Sequence, residues 1–317
     1  MTAEFLASTS THSAYLNAFA TRHGHLILHY SINRSAAMSY TNGGYNPDSP
    51  EVWKRYADRT AEKCAHYLIP HLKSTNNIID VGCGPGSITV GLAKRCPQGR
   101  TTGVDLTDGL ISEATKLWKA TPNLTFEVGN AEDLSQYEDN SFDVVHAHAC
   151  VVHLSDPVKA FKEFHRICKP GGIVATADPL FPAVLDIKPE IPGLRESFPL
   201  KAKWMKKQGS NPDAGMEKEK WARDAGFGVD GGDIKVMVEG FPHTNTLNPL
   251  RLSDEFADDV VKDGLATREQ VELWQDAWKR WEEAEEREVV TPHQKMLCWK
   301  AKKEGVGNVA VNGLNGH

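Results

Sequence analysis

From Asp80 to Ser87 the chain reads Asp-Val-Gly-Cys-Gly-Pro-Gly-Ser, an acid followed by three glycines at alternate positions. The apolar pair Ile78-Ile79 precedes this stretch and a helix-forming segment follows it, so it reads as a strand-to-helix turn. Glycines let backbone approach a ligand closely there, and the following helix presents oriented N–H groups. The plain alternative is a tight turn that binds nothing. A dinucleotide fingerprint would place glycine at position 87, where this chain has serine. Asp105 closes a second strand, where a carboxylate can accept hydrogen bonds from both hydroxyls of a ribose. His148 lies at the carboxyl end of a fourth strand, where open α/β sheets place ligands, and His153 lies in the loop beyond it. An imidazole with a pKa of about 6.5 can take a proton from a phenol, acid or amine near neutral pH. His146, inside the same strand, reads as a packed and hydrogen-bonded residue.

The elements that must position these groups alternate regularly. Strands are predicted at 77–81, 102–106, 124–128, 142–146 and 172–177, with helices at 87–95, 108–119 and 157–168. Strands alternating with helices of that length imply right-handed crossovers, hence an α/β, Rossmann-like, doubly wound and mostly parallel sheet. Ahead of the core, residues 1–50 read as a flexible segment or a helical N-terminal cap, and a helical period runs from Ser49 to near Pro70. The core domain is expected over 51–304. Closely spaced prolines after Asp178 mark an inserted lid at about 179–216, and residues 305–317 are expected to be disordered. Helices are expected at 218–225, 253–263 and 267–287, and strands at 234–241 and 292–299. Trp274, Trp278 and Trp281 share one helical face and read as core. Phe181, Phe198, Trp204 and Met205 are candidate substrate walls within the lid.

The glycine-rich turn with its preceding acid resembles motif I of the class I S-adenosylmethionine-dependent methyltransferases. Gly129-Asn130-Ala131-Glu132-Asp133-Leu134 resembles the family's adenine loop, with Asn130 in place of the commoner aspartate. Lys169-Pro170-Gly171-Gly172 matches its turn before the fifth strand. Phe142-Asp143-Val144-Val145 and His153-Leu154-Ser155-Asp156-Pro157 are similar to the ubiquinone/menaquinone-biosynthesis type of small-molecule methyltransferase. The resemblance implies S-adenosylmethionine as cofactor, held by Asp80, Gly82, Cys83, Gly84, Gly86, Asp105, Leu106, Asn130, Ala131, Glu132, Ala147 and His148. Tyr40 is a candidate to close over the sulfonium, as is Tyr45, and Arg59 a candidate partner for the cofactor carboxylate. His148 and His153 are the candidate catalytic bases. Sulfonium chemistry does not require one, because positioning of nucleophile, methyl and sulfur can suffice. The implied reaction is methyl transfer to a small-molecule acceptor, oxygen first, with a secondary metabolite or quinone-like compound expected.

Composition narrows the alternatives. The 317 residues carry a formal charge of −6, and Lys201, Lys203, Lys206 and Lys207 read as a solvated helix face rather than a phosphate track. Where methyltransferases of base amino groups carry an Asn-Pro-Pro-Tyr-like tetrapeptide, this chain reads Ala147-His148-Ala149-Cys150, which argues against amino-group methylation of bases. The six cysteines form no metal-ligand spacing, so no metal is expected and the thiols read as free. No signal peptide or membrane-spanning run is evident, so a cytoplasmic protein is expected. A second class of function remains on the sequence alone: a catalyst that keeps the sulfonium as an electrostatic element and transfers no methyl.

Overall fold

The structure, a computed structural model, describes residues 59–207, 209–229, 232–243 and 254–302, together with the strands at 16–20 and 26–30. Those two strands, β1 (Leu16–Ala20) and β2 (Leu26–Tyr30), pair antiparallel. Of the two expectations for residues 1–50, a flexible segment or a helical cap, the helix does not hold over 16–20 and 26–30, which are strands. Each run is five residues long, too short for a stable helix, and Phe19, Ile27 and Tyr30 favour strands. Of the helical period expected from Ser49 to near Pro70, residues 49–58 lie outside the described residues; from 59 onward it gives α1 (Ala61–Cys64), which ends where Ala65 leaves helical geometry at φ −121°. A 3-10 turn at Ile69–His71 then contains Pro70.

The core follows the predicted alternation: β3 (Ile78–Val81), α2 (Ser87–Arg95), β4 (Thr101–Asp105), α3 (Asp108–Trp118), β5 (Leu124–Val128), β6 (Phe142–His148), α4 (Pro157–Ile167) and β7 (Cys168–Pro179). Five of these strands are parallel, in the order β5-β4-β3-β6-β7. Every residue of β3 is buried, as are six of the seven in β6, because helices cover both faces. The chain winds outward from β3 in both directions, so the switch point lies between β3 and β6. Ligands of such sheets bind at the carboxyl ends of those strands.

Beyond β7 come β8 (Asp186–Lys188), α5 (Leu194–Lys207), α6 (Ala214–Asp224), β9 (Ile234–His243), α7 (Asp254–Lys262), α8 (Arg268–Glu283) and β10 (Glu288–Trp299). β10 is antiparallel to β7, β8 and β9. Within the segment expected as a lid, about 179–216, Asp186–Lys188 joins the sheet. The twelve-residue β10 outruns β7 and offers Glu288, Val289 and Val290 as pairing positions. α5 is anchored to α8: Phe198 packs on Trp278 at 5.9 Å between ring centroids, and Trp278 Nε1 donates to Ser197 Oγ at 3.1 Å. Phe198, Trp204 and Met205 are buried within the core, and Phe181 packs partly buried against it. Trp278 and Trp281 are fully enclosed, as their helical spacing implied. Three of the four lysines of α5 sit in ion pairs or on a ring: Lys206 with Asp213, Lys207 with Asp263, and Lys201 above Trp204.

Candidate active site

At the carboxyl end of β3 the glycine turn is shaped by its lack of side chains. Gly82, Gly84 and Gly86 have φ of +70°, +52° and +78°, a region in which a Cβ is strained. A Cβ on Gly82 would stand 2.7 Å from Cys150 Sγ, and one on Gly86 would run into the Phe126 ring. At Gly84 nothing lies within 4 Å of that position, so its backbone faces open space. The turn is tied to β4 by Gly82 N–H and Cys83 N–H, which both donate to Val104 O. Gly84 N–H donates to Asp105 Oδ2 at 3.0 Å, and Thr107 N–H donates to Oδ1 at 3.0 Å. Burial pushes the Asp105 carboxyl above its usual range, and those two N–H groups oppose the rise. Leu106, next in the chain, is 41% exposed, an apolar side chain left beside a half-buried carboxylate.

Asp80 lies beneath this surface rather than on it. Its Oδ2 accepts from Thr89 Oγ1 and its Oδ1 lies 2.6 Å from His146 Nδ1, with Asp80 and His146 both buried. Asn130 is exposed at the end of β5, and its Oδ1 accepts from Glu132 N–H. Glu132 Oε1 accepts from Ser155 and Asp156 N–H, bracing the loop that enters α4. Ala131 and Ala147 are buried in the core, and Ala147 pairs with Thr176 within the sheet. Tyr40 and Tyr45 lie outside the described residues.

His148 is the last residue of β6. It is 7% exposed, and its Nδ1 is buried without a hydrogen-bond partner. Burial, then the positive charge of Arg59, holds its pKa well below the ordinary 6.5. Its ring stacks on His293 at 6.1 Å, and His293 stacks on Phe241 at 4.7 Å. His153 closes the 3-10 turn Val151–His153, half-buried, with its pKa lowered to about 4 by burial, Arg59 and Lys201. The half-buried Arg59 thus acts electrostatically on both histidines. The structure brings together Gly82, Cys83, Gly84, Gly86, Asp105 and Leu106 on one rim, with His148, His153 and Arg59 around the end of β6. His293 and Phe241 went unread in the sequence. They reach His148 only because β10 and β9 add to the sheet edge after a long connection, and no local spacing announces that.

A doubly wound sheet with a glycine turn at its switch point, a carboxylate closing the next strand and an antiparallel strand after β7 defines a Rossmann-like nucleotide-binding enzyme fold. The comparisons with known proteins narrow it. A family model described as a methyltransferase domain matches residues 79–176. An uncharacterized methyltransferase of Schizosaccharomyces pombe is 33% identical over 251 residues, 73% of this chain and 87% of that protein. The probable methyltransferase ltbC of Aspergillus luteorubrus is 30% identical over 293 residues, 84% of this chain and 100% of the relative. The YcgJ protein of a Bacillus shares the fold with a TM-score of 0.51 at 16% identity, covering 76% of this chain and 98% of that one. The chain belongs to the class I methyltransferase family, and its methyl donor is S-adenosylmethionine. The open backbone at Gly84, the Asp105 carboxylate and the exposed Leu106 fit that cofactor. Among the described residues no helix is long and apolar enough to cross a membrane, and no cluster of His, Cys, Asp or Glu is placed to hold a metal.

Proposed function

We propose that the enzyme methylates an oxygen of a small-molecule acceptor, a secondary metabolite or quinone-like compound, and does so in the cytoplasm without nucleic acid or membrane as partner. The observation that carries this reading is His148, a buried imidazole at the end of β6 with a partnerless Nδ1 and a depressed pKa. Such a group is neutral at pH 7 and can take a proton from a hydroxyl as that oxygen is methylated. A quinone-like acceptor also draws support from a demethylmenaquinone methyltransferase of Symbiobacterium thermophilum, 28% identical over 154 residues and 41% of this chain.

When bound, S-adenosylmethionine supplies an electrophilic methyl on a positively charged sulfur. In this reading Asp105 accepts from the ribose hydroxyls, and the turn from Gly82 to Gly86, Cys83 included, lets the backbone lie against the methionine half. Leu106, Asn130 and Ala131 flank the adenine. Arg59 pairs with the cofactor carboxylate, and Tyr40 closes over the sulfonium. Asp80, Glu132 and Ala147 act from behind: Asp80 by holding His146, Glu132 by bracing the 155–156 loop, and Ala147 by setting the strand that ends in His148. His153 is the second candidate base. The test is incubation of the purified protein with labelled S-adenosylmethionine and a metabolite extract, read by mass spectrometry. A small product heavier by one methylene, bearing the label on oxygen, supports the reading. Label on carbon, nitrogen or a macromolecule refutes it.

A further inference from the structure

The one ion pair buried completely on both sides, among the described residues, joins two residues that no ligand contact explains. Lys218 of α6 and Asp178 of β7 have side chains 0% exposed, with Nζ 3.3 Å from Oδ2. Lys218 Nζ also donates to the main-chain oxygen of Gln294, the register partner of Asp178 across β7 and β10. The other carboxylate oxygen, Oδ1, accepts from the N–H of Val152 at 3.3 Å. Val152 belongs to the turn between β6 and α4, the segment that presents Cys150 to the glycine loop and carries His153. That turn is held at further points: Ala149 N–H donates to Ala177 O at 2.7 Å, and Asn211 N–H donates to Val152 O at 2.9 Å. It also contains a backbone that needs holding, because Ala149 has φ +50° without being glycine.

Removing two charges from water costs more than their attraction returns unless every remaining polar contact is satisfied, so a buried pair is a poor way to stabilise a core. Apolar side chains of similar volume would do that better. What they cannot supply is a directional acceptor for the Val152 N–H, locked from three separate elements. We infer that Asp178 and Lys218 are a positioning pair: they fix the turn that walls the site beside His148 and His153, and they are not retained for stability. The inference rests on the reading of that turn as the acceptor side of the methyl-transfer site.

Burial, with Arg59 and Lys201, keeps the His153 pKa at about 4, so its titration reports whether the turn stays closed. The experiment uses the full chain with Asp178→Leu/Lys218→Met, which also removes the acceptor for Val152 N–H, and, separately, Asp178→Asn. The double variant removes both charges, so it should melt cooperatively no lower than the parent. Its His153 titration, followed by proton NMR, should rise by about one pH unit or more as the turn opens to water. S-adenosylhomocysteine affinity, measured by calorimetry, should stay within about two-fold, since the cofactor rim is held by other bonds. Asp178→Asn keeps an acceptor for Val152 but leaves the lysine without its counter-charge, so it should melt lower while His153 titrates as in the parent. A double variant that melts well below the parent or fails to fold makes the pair a stability element and overturns the inference. So does an unmoved His153 titration. Failure of the parent to bind S-adenosylhomocysteine would refute the methyl-transfer reading instead, and the parent titration separates the two.

Discussion

Replacing Gly82 with alanine tests whether the glycine turn is shaped by its neighbour in space. The new Cβ would stand 2.7 Å from Cys150 Sγ and 2.9 Å from Cys150 Cβ, on a backbone with φ +70°. The left-handed conformation costs a non-glycine residue about 1–2 kcal/mol. Forcing an extra carbon into a packed site costs about 1–3 kcal/mol more. The sum, about 2–5 kcal/mol, is a large share of the roughly 5–15 kcal/mol that holds a domain folded. The two parts separate in a double-mutant cycle. Cys150→Gly removes both offending atoms and leaves the backbone strain, because Cys150 Cα, at 3.9 Å, is in ordinary contact. Urea unfolding of the parent, both single variants and Gly82→Ala/Cys150→Gly should therefore give a coupling of about 1–3 kcal/mol, with similar m-values throughout. A Gly82→Ala cost under about 0.5 kcal/mol, or a coupling near zero, would refute the account of this turn.

Three further outcomes follow from the same geometry. His148→Gln removes the proposed base and should lower the rate of methyl transfer by about 10²-fold or more while S-adenosylhomocysteine affinity holds; an unchanged rate removes His148 from the chemistry. His148 and His153 are both held neutral, so the unfolded chain binds more protons than the folded one once pH falls below 6.5. Stability should accordingly decline as pH drops from 6.5 towards 4, and His153→Gln should flatten that slope in chemical denaturation. Glu132→Ala takes the acceptor from Ser155 and Asp156 N–H and should cost about 1–3 kcal/mol, with amide exchange quickening at those two positions; unaltered exchange there would contradict the bracing role.

Local chemistry made much of this legible before any coordinate. The apolar strands, the alternate glycines and Asp105 at a strand end depend on neighbours within a few residues, and each stands where its pattern put it. His148 was placed at the end of β6 by the same logic. Asp80 shows the limit of that logic. Its motif position suggested the cofactor, but the fold sets it opposite His146, sixty-six residues away, where both of its oxygens are engaged. Glu132 likewise meets its partners only when the loop before α4 folds back. The contact of Cys150 with Gly82, the Lys218–Asp178 pair and the Phe241–His293 stack all join segments brought together by strand order, which composition and periodicity do not encode. The strand pairing of Asp186–Lys188 was hidden for a related reason: three residues among prolines carry no period of their own, and β10 supplies the partner.

The central claim is that the rim from Gly82 to Leu106 holds S-adenosylmethionine. Calorimetric titration of the purified protein with S-adenosylmethionine, S-adenosylhomocysteine and NAD tests it most directly. The account predicts binding of the first two and none of NAD. In Asp105→Ala, which forfeits the proposed ribose contacts and two N–H bonds that order the turn, affinity should weaken by about 10²-fold or more. Binding of NAD instead, or full affinity without the Asp105 carboxylate, would contradict it.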